Sequence, residues 1–255
     1  MIRGLLIALA LSAFTSANAA TPPPKVAIII DDIGYRYQQD RQALQLPTEI
    51  AFAIIPGSDH GRALGEAAVQ QGREVLVHLP MEPVGVANAR LGPVAIDHTD
   101  DELAVRRTLR AAMEELPFAT GLNNHMGSRL TQERRPMLWL MESILCRRDL
   151  YFVDSYTTRH SVALATADAL SIPAVRRDVF LDHVQTPAAI EVQVRRLVHL
   201  ARQQGQALAI AHPHAPTLDA LRALPRLLQA QGIELVAPSA LVGDPSSRGM
   251  VAEAD

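Results

Sequence analysis

The sequence predicts a parallel α/β fold in which about seven strands alternate with helices around one parallel sheet, an arrangement that a single α/β barrel fits. Three observations carry this. Val26-Ala27-Ile28-Ile29-Ile30 is an unbroken apolar, mostly β-branched run, the composition of a strand buried on both faces. Runs of the same kind recur along the chain, each separated from the next by a segment of helical length. Side chains able to do chemistry collect just after these runs: Asp31 and Asp32, His78, Asn124 and His125, Asp154, and His212.

In order, Met1-Ile2-Arg3, the apolar residues 4–11 and Ala17-Asn18-Ala19 have the cationic start, short apolar stretch and small-x-small site of a secretory signal, assigned to residues 1–19. That run is shorter than the roughly 20 apolar residues a membrane span needs, and no later stretch approaches that length. Pro22-Pro23-Pro24 makes residues 20–24 a stiff, extended spacer. The first strand runs into Asp31-Asp32 and Gly34, and residues 35–44 read as a helix. Glu49-Ile50-Ala51-Phe52-Ala53-Ile54-Ile55 is a second strand stopped by Pro56-Gly57. Residues 61–71 form a helix of small residues suited to close packing, ended by Gly72. The third strand, Glu74-Val75-Leu76-Val77-His78, ends at its histidine, and the Pro- and Gly-rich residues 79–93 read as a loop. Residues 97–101 open a helix that reaches Glu115. Thr120-Gly121-Leu122-Asn123-Asn124-His125 is a short strand and its exit, residues 131–148 an amphipathic helix, and Leu150-Tyr151-Phe152-Val153-Asp154 another strand. A helix over residues 162–170 leads to a strand, Pro173-Ala174-Val175, and a polar loop over residues 178–182. Residues 186–204 form a long helix ended by Gly205, Leu208-Ala209-Ile210-Ala211-His212 a strand, residues 217–231 a helix, and Ile233-Glu234-Leu235-Val236 the last strand. No linker or repeat divides the chain, so residues 25–241 are one domain, followed by a frayed polar tail over residues 242–255.

With 48% hydrophobic residues among 255, the chain can fill one large core. Its formal charge is −3, or −4 once Arg3 leaves with the leader, and without a basic excess nucleic acid is not an expected partner. Cys146 is the single cysteine, so no internal disulfide forms even in an oxidising compartment; inside an apolar helical pattern it reads as a packed core thiol. Trp139 in the same run reads as core. The leader implies a periplasmic mature protein with no stable membrane span after cleavage, and the sequence specifies no protein partner.

In parallel α/β folds the carboxyl ends of the strands share one face, which brings these distant residues to one bowl. Two adjacent aspartates at a buried strand end repel each other and lose hydration, so a cation or a shared proton is the natural remedy. Imidazole and carboxylate together suit a divalent metal, Zn²⁺ first, with Co²⁺, Ni²⁺ or Mn²⁺ as alternatives. The chemistry implied is hydrolysis: a metal held by three protein ligands activates water, a second carboxylate takes the proton, and a histidine opposite protonates the leaving group. His214 reads as a rim residue, His60, His98, His160, His183 and His199 as solvent-facing, and Asp182 as either a site residue or a helix cap before Thr186. Aromatics make up only 4% of the chain, and Tyr35, Tyr37 and Tyr156 are the platforms available for stacking a sugar.

Asp31-Asp32, Gly72-Arg73-Glu74-Val75-Leu76-Val77-His78, Asn124-His125-Met126-Gly127-Ser128, Tyr151-Phe152-Val153-Asp154-Ser155 and Leu208-Ala209-Ile210-Ala211-His212 occur in the order of a family's motifs. The chain thereby resembles the polysaccharide deacetylase superfamily of NodB-type carbohydrate esterases, and most closely its divergent YibQ-like branch, over residues 25–241. The resemblance implies a distorted (β/α) barrel of about seven strands and metal-dependent removal of acetyl groups from N-acetylated sugars. It implies Asp31 as general base, Asp32 and His78 as metal ligands and His212 as general acid. Where the family has a second metal histidine, four residues after His78, this chain has Glu82, and Pro80 and Pro83 flank the interval. The third ligand is therefore His125 or Glu82. His125 is preferred because it too ends a strand and imidazole matches the expected ligand type. Asn123-Asn124 stands in place of the family's substrate-positioning arginine, for which Arg129 or the Arg176-Arg177-Asp178 group could substitute. Glu82, Asn124, Asp154 and Tyr35 are the expected substrate contacts. The expected function is a periplasmic metal-dependent deacetylase of envelope glycans. The alternatives are a glycan-binding or scaffold protein that has lost turnover, and a hydrolase of another amide or ester.

Overall fold

The computed structural model describes residues 22–85, 91–147 and 150–242. The signal peptide assigned to residues 1–19, the start of the spacer and the tail from residue 243 lie outside the described residues. Strands β1 (Lys25–Ile33), β2 (Ala51–Ile54), β3 (Val75–Met81), β4 (Gly121–Met126), β5 (Tyr151–Asp154), β6 (Ala174–Arg176), β7 (Val179–Phe180), β8 (Gln206–Ala211) and β9 (Glu234–Leu235) alternate for most of the chain with α1 (Tyr37–Ala43), α2 (Gly61–Gln70), α3 (Glu102–Glu115), α4 (Arg134–Leu145), α5 (Ala163–Ala169), α6 (Pro187–Gln204) and α7 (Ala215–Ala230). Eight strands follow the order β6-β5-β4-β3-β2-β1-β8-β7, with β9 on the far end of β1. Each pairing is parallel. The end strands β6 and β7 do not pair with each other, which leaves the curved sheet a half-barrel open along one seam. Nine strands stand against about seven expected: β6 falls on the strand expected at residues 173–175, and the residues 178–182 expected as a polar loop supply a further short strand, β7.

The helix ends follow local chemistry. The Asp101 carboxylate caps α3 by accepting from the Ala104 N–H, and Thr186 caps α6 by accepting from Ala189 with Pro187 in the first turn. Asp182 therefore does not cap that helix. Gly205 closes α6 at φ 79°, a left-handed position open to glycine without strain.

The period-2 alternation of buried strands sorts the apolar residues into two cores. Val26, Ile28, Ile30, Phe52, Val77, Leu122 and Phe152 point out to the helices. Ala27, Ile29, Ala51, Ala53, Leu76, Val153, Leu208 and Ile210 point into the barrel lumen. The fully buried Phe52 and Phe152 are each worth roughly 1.5–3 kcal/mol of transfer free energy. Two expectations are corrected here. Residues 79–81 are not loop: β3 continues through Met81, and Leu79, Pro80 and Met81 pair with Asn124, His125 and Met126 of β4. Cys146 is exposed, because α4 ends at Leu145 and the thiol sits past its last turn. A 3₁₀ turn, Pro238–Leu241, follows β9 and buries Leu241 in the lumen cluster. Trp139 is partly buried against the outer core.

Candidate active site

Residues that continue the inward alternation past the lumen core form the mouth of the barrel. On β1 the inward set Ala27, Ile29 is extended by Asp31, on β3 Leu76 by His78, on β4 Gly121 by Asn123 and His125, and on β8 Leu208, Ile210 by His212. Strict alternation would turn Asp32 outward. Instead the register slips between Ile30 and Ile33, and Asp32 takes a left-handed backbone at φ 60°. This bulge lets both aspartates face one cavity of about 350 Å³, lined with His78, His125, Arg177, Phe180 and His212 among others. Met126 and Tyr156, also left-handed at φ 55° and 49°, line the same cavity, so three of the four described non-glycine residues with positive φ stand at one site.

The centre of the site is a triangle of ligand atoms. Asp32 Oδ1 lies 2.9 Å from His125 Nδ1 and 3.2 Å from His78 Nε2, and the two ring nitrogens are 3.1 Å apart. Asp32 Oδ1 is buried, and neither nitrogen meets it at a hydrogen-bonding angle. The Asn123 amide sets the tautomer of His78. Its Nδ2 donates to Asp31 Oδ1 at 2.8 Å, so its Oδ1 is left to accept from His78 Nδ1–H, also at 2.8 Å. Nε2 of His78 then offers a lone pair toward Asp32. A single proton can satisfy one edge of this triangle; a cation satisfies all three. Tetrahedral zinc at roughly 2.0–2.1 Å from nitrogen or oxygen spaces its ligands about 3.3 Å apart, close to the separations found. The residues therefore fit a divalent metal.

On one side of the triangle stands Asp31, with Oδ2 3.6 Å from His78 Nε2. Burial raises its pKa, and the neighbouring Asp32 charge adds to that, while His78, His212 and the Asn123 hydrogen bond oppose it. Burial also opposes ionisation of Asp32, yet the ring nitrogens of His125 and His78 hold its carboxyl far below the usual range. On the other side His212 Nε2 is 3.6 Å from Asp32 Oδ2. Asp182 orients this ring: its Oδ1 lies 3.0 Å from His212 Nδ1, and its Oδ2 accepts from the His212 N–H and the Thr217 hydroxyl. Burial disfavours the charged form of His212, but the Asp182 hydrogen bond and the charges of Asp31 and Asp32 outweigh it and raise the pKa.

Several expected contacts lie elsewhere. Glu82 is not at the triangle. Its buried carboxylate accepts from the His98 N–H and ring at 2.9 and 2.6 Å and faces Arg129 at 3.4 Å, so that cluster is internally satisfied and Arg129 is tied to it. His98 is thus a structural partner as well as a surface residue. Asp154 is drawn into its own loop, accepting from the Tyr156 N–H and the Ser161 hydroxyl, which removes it from substrate contact. Tyr35 is 51% exposed and does not line the cavity; Tyr156 does. Asn124 lines the cavity, but its amide holds the Met126 carbonyl and the Ser155 N–H. His214, at the cap position of α7, stands with its ring 5.9 Å from His212. Sequence reasoning missed Asn123 as a site residue and left Asp182 open; the alternation from His125 back to Asn123 is the signal that places Asn123 on the inward face.

The comparisons agree with this architecture. Residues 28–242 match the divergent polysaccharide deacetylase family. An uncharacterized protein of Escherichia coli K12, YibQ, is 37% identical over 237 residues, 93% of this chain and 73% of that protein. A protein of Haemophilus influenzae is 35% identical over 213 residues, 82% of this chain and 75% of its own length. The crystal structure of an uncharacterized Agrobacterium tumefaciens C58 protein superposes with a TM-score of 0.81 at 27% identity, covering 88% of this chain and 91% of that one. A family match spanning most of the half-barrel, on a chain whose aspartate pair and histidines line the barrel mouth, leads to one conclusion: this chain belongs to the divergent polysaccharide deacetylase family.

Proposed function

We propose that the protein is a metal-dependent hydrolase of the cell envelope that removes acetyl groups from N-acetylated sugars, acting in the periplasm after its leader is cleaved. The observation that carries this reading is the triangle of Asp32, His78 and His125, flanked by Asp31 on one side and His212 on the other. Asp32, His78 and His125 would hold the ion, zinc first. When bound, such an ion acidifies a water and polarises the acetyl carbonyl. Asp31 keeps one oxygen clear of the Asn123 hydrogen bond, and its raised pKa suits a base that takes a proton near neutral pH. His212, held by Asp182 with Nε2 toward the mouth, is placed to give a proton to the departing amine. Asn123 serves both halves by tying Asp31 to His78.

The test is acetate release from chitooligosaccharides and peptidoglycan fragments, with bound metal measured on the same samples. Asp31→Asn should lower acetate release roughly 10²–10⁴-fold while retaining zinc, whereas His78→Ala should lose both. Equal zinc content in wild type and His78→Ala would sink the assignment. A second reading is a glycan-binding protein without turnover. It is favoured by Glu82, which stands where the family has its second metal histidine and is engaged with His98 and Arg129. Bound metal with no acetate released from any N-acetylated glycan would establish that reading.

A further inference from the structure

Beside the mouth, where β6 and β7 leave the sheet unpaired, lies a second cavity of about 630 Å³ whose cationic groups are Arg176, Arg177 and Arg196, with His183 at its edge. Tyr156, Arg177 and Phe180 line both cavities, so the two are continuous. Contacts run from one to the other. The Arg176 guanidinium stacks 4.3 Å over the Tyr156 ring, Arg177 lies 5.2 Å over Phe180, and Phe180 stands edge-on to His212 at 5.3 Å. Among the described residues none of the three arginines makes an ion pair. Three carboxylates lie near them: Asp178, whose Oδ2 is turned away to accept from the Leu208 N–H, Asp154, which is held in its own loop, and Asp31 at the mouth. Asp154 and Asp178 are engaged by backbone and hydroxyl donors and none of the three carboxylates pairs directly with a guanidinium, so the forks of Arg176 and Arg196 stay open in a recess that leads onto the reacting groups. Arg177 is committed to the fold, donating to the carbonyls of Ser155 and Tyr156. Arg176, stacked on Tyr156, and Arg196 are exposed.

We infer that this recess is an anion subsite: the glycan whose acetyl group lies at the mouth carries an oxyanion, a carboxylate or a phosphate, within one or two sugar units, and Arg176 and Arg196 bind it. The inference rests on the deacetylase reading for the position of the acetyl group. Planar guanidinium forks match carboxylate and phosphate oxygens pairwise, and the Tyr156 and Phe180 rings give the intervening sugar an apolar face.

The test separates the two claims by measuring binding and turnover independently. Calorimetric titration of Asp31→Asn uses three probes: chitobiose as the neutral ligand, an N-acetylglucosaminyl-N-acetylmuramic acid disaccharide for the carboxylate, and N-acetylglucosamine 6-phosphate for the phosphate. At least one anionic probe should bind roughly tenfold or more tightly than chitobiose, with the advantage shrinking as salt rises. Adding Arg176→Ala and Arg196→Ala together should remove that advantage and leave chitobiose affinity unchanged. The probe that responds identifies the oxyanion. Equal affinity for all three ligands, an equal loss for all three in the double variant, or no binding of either anionic probe overturns the subsite. Acetate release by the chain without Asp31→Asn is read separately: arginine-dependent binding without acetate sinks the deacetylase reading and leaves the anion subsite, while acetate release from the anionic probes that is indifferent to the arginines does the reverse.

Discussion

Asp32 shows how a single residue is bent to its task. A non-glycine residue with φ near 60° costs on the order of 1–3 kcal/mol unless its side chain tolerates that region, and Asp and Asn tolerate it best. Asp32→Asn should therefore melt close to wild type but bind zinc at least roughly tenfold more weakly, because a neutral amide replaces the one anionic ligand. Asp32→Val should lose a further 1–3 kcal/mol of stability from backbone strain, about that much beyond the Asn variant. Denaturant melts beside zinc titrations decide it; if the Val and Asn variants are equally stable, the bulge is not strained. The aspartate pair was legible from the residues alone. That both carboxylates serve one cavity was not, since alternation assigns neighbours to opposite faces and only the register slip between β1 and β2 overrides it.

Among the elements, α2 was read from its small residues as a closely packed helix, and it is one. A Cβ added at Gly65 would stand 2.5 Å from the Phe118 ring and 2.8 Å from Ile54 of β2. Gly→Ala in an open helix gains about 1 kcal/mol of propensity, but overpacking here costs about 1–3 kcal/mol. Gly65→Ala should thus be net destabilising; a denaturant midpoint above wild type would show that Phe118 yields freely. The third strand was read too short. Gly and Pro after His78 suggest a loop, yet Pro80 is accommodated because its carbonyl still accepts from Ile96, while Leu79 and Met81 are pulled into the outer core. Tertiary burial outweighs the local breaker. Extending β3 also directs Glu82 to His98 and Arg129, away from the triangle, a consequence no spacing rule could supply.

For the molecule as a whole, a site built from β1, β3 and β4 exists only when the sheet is formed, so a metal binding there stabilises the native state. Zinc at a hundred times its Kd should add about 2.7 kcal/mol and raise Tm by roughly 5–10 °C, an increment that chelator removes and His78→Ala lacks. No rise in wild type, or the same rise in the variant, would dissolve the cation site. The sequence by itself determined the parallel α/β class, the order of most elements and the residues at the strand ends, because burial on both faces writes long apolar runs and alternation writes which residues look inward. Only the tertiary structure decided the open seam between β6 and β7, the pairing of Asn123 with Asp31 and His78, the use of Asp182 behind His212, and the exclusion of Glu82 and Asp154 from the mouth. Those outcomes depend on which hydrogen-bond partner lies across a strand register or a loop, and distances across space leave no period in the chain.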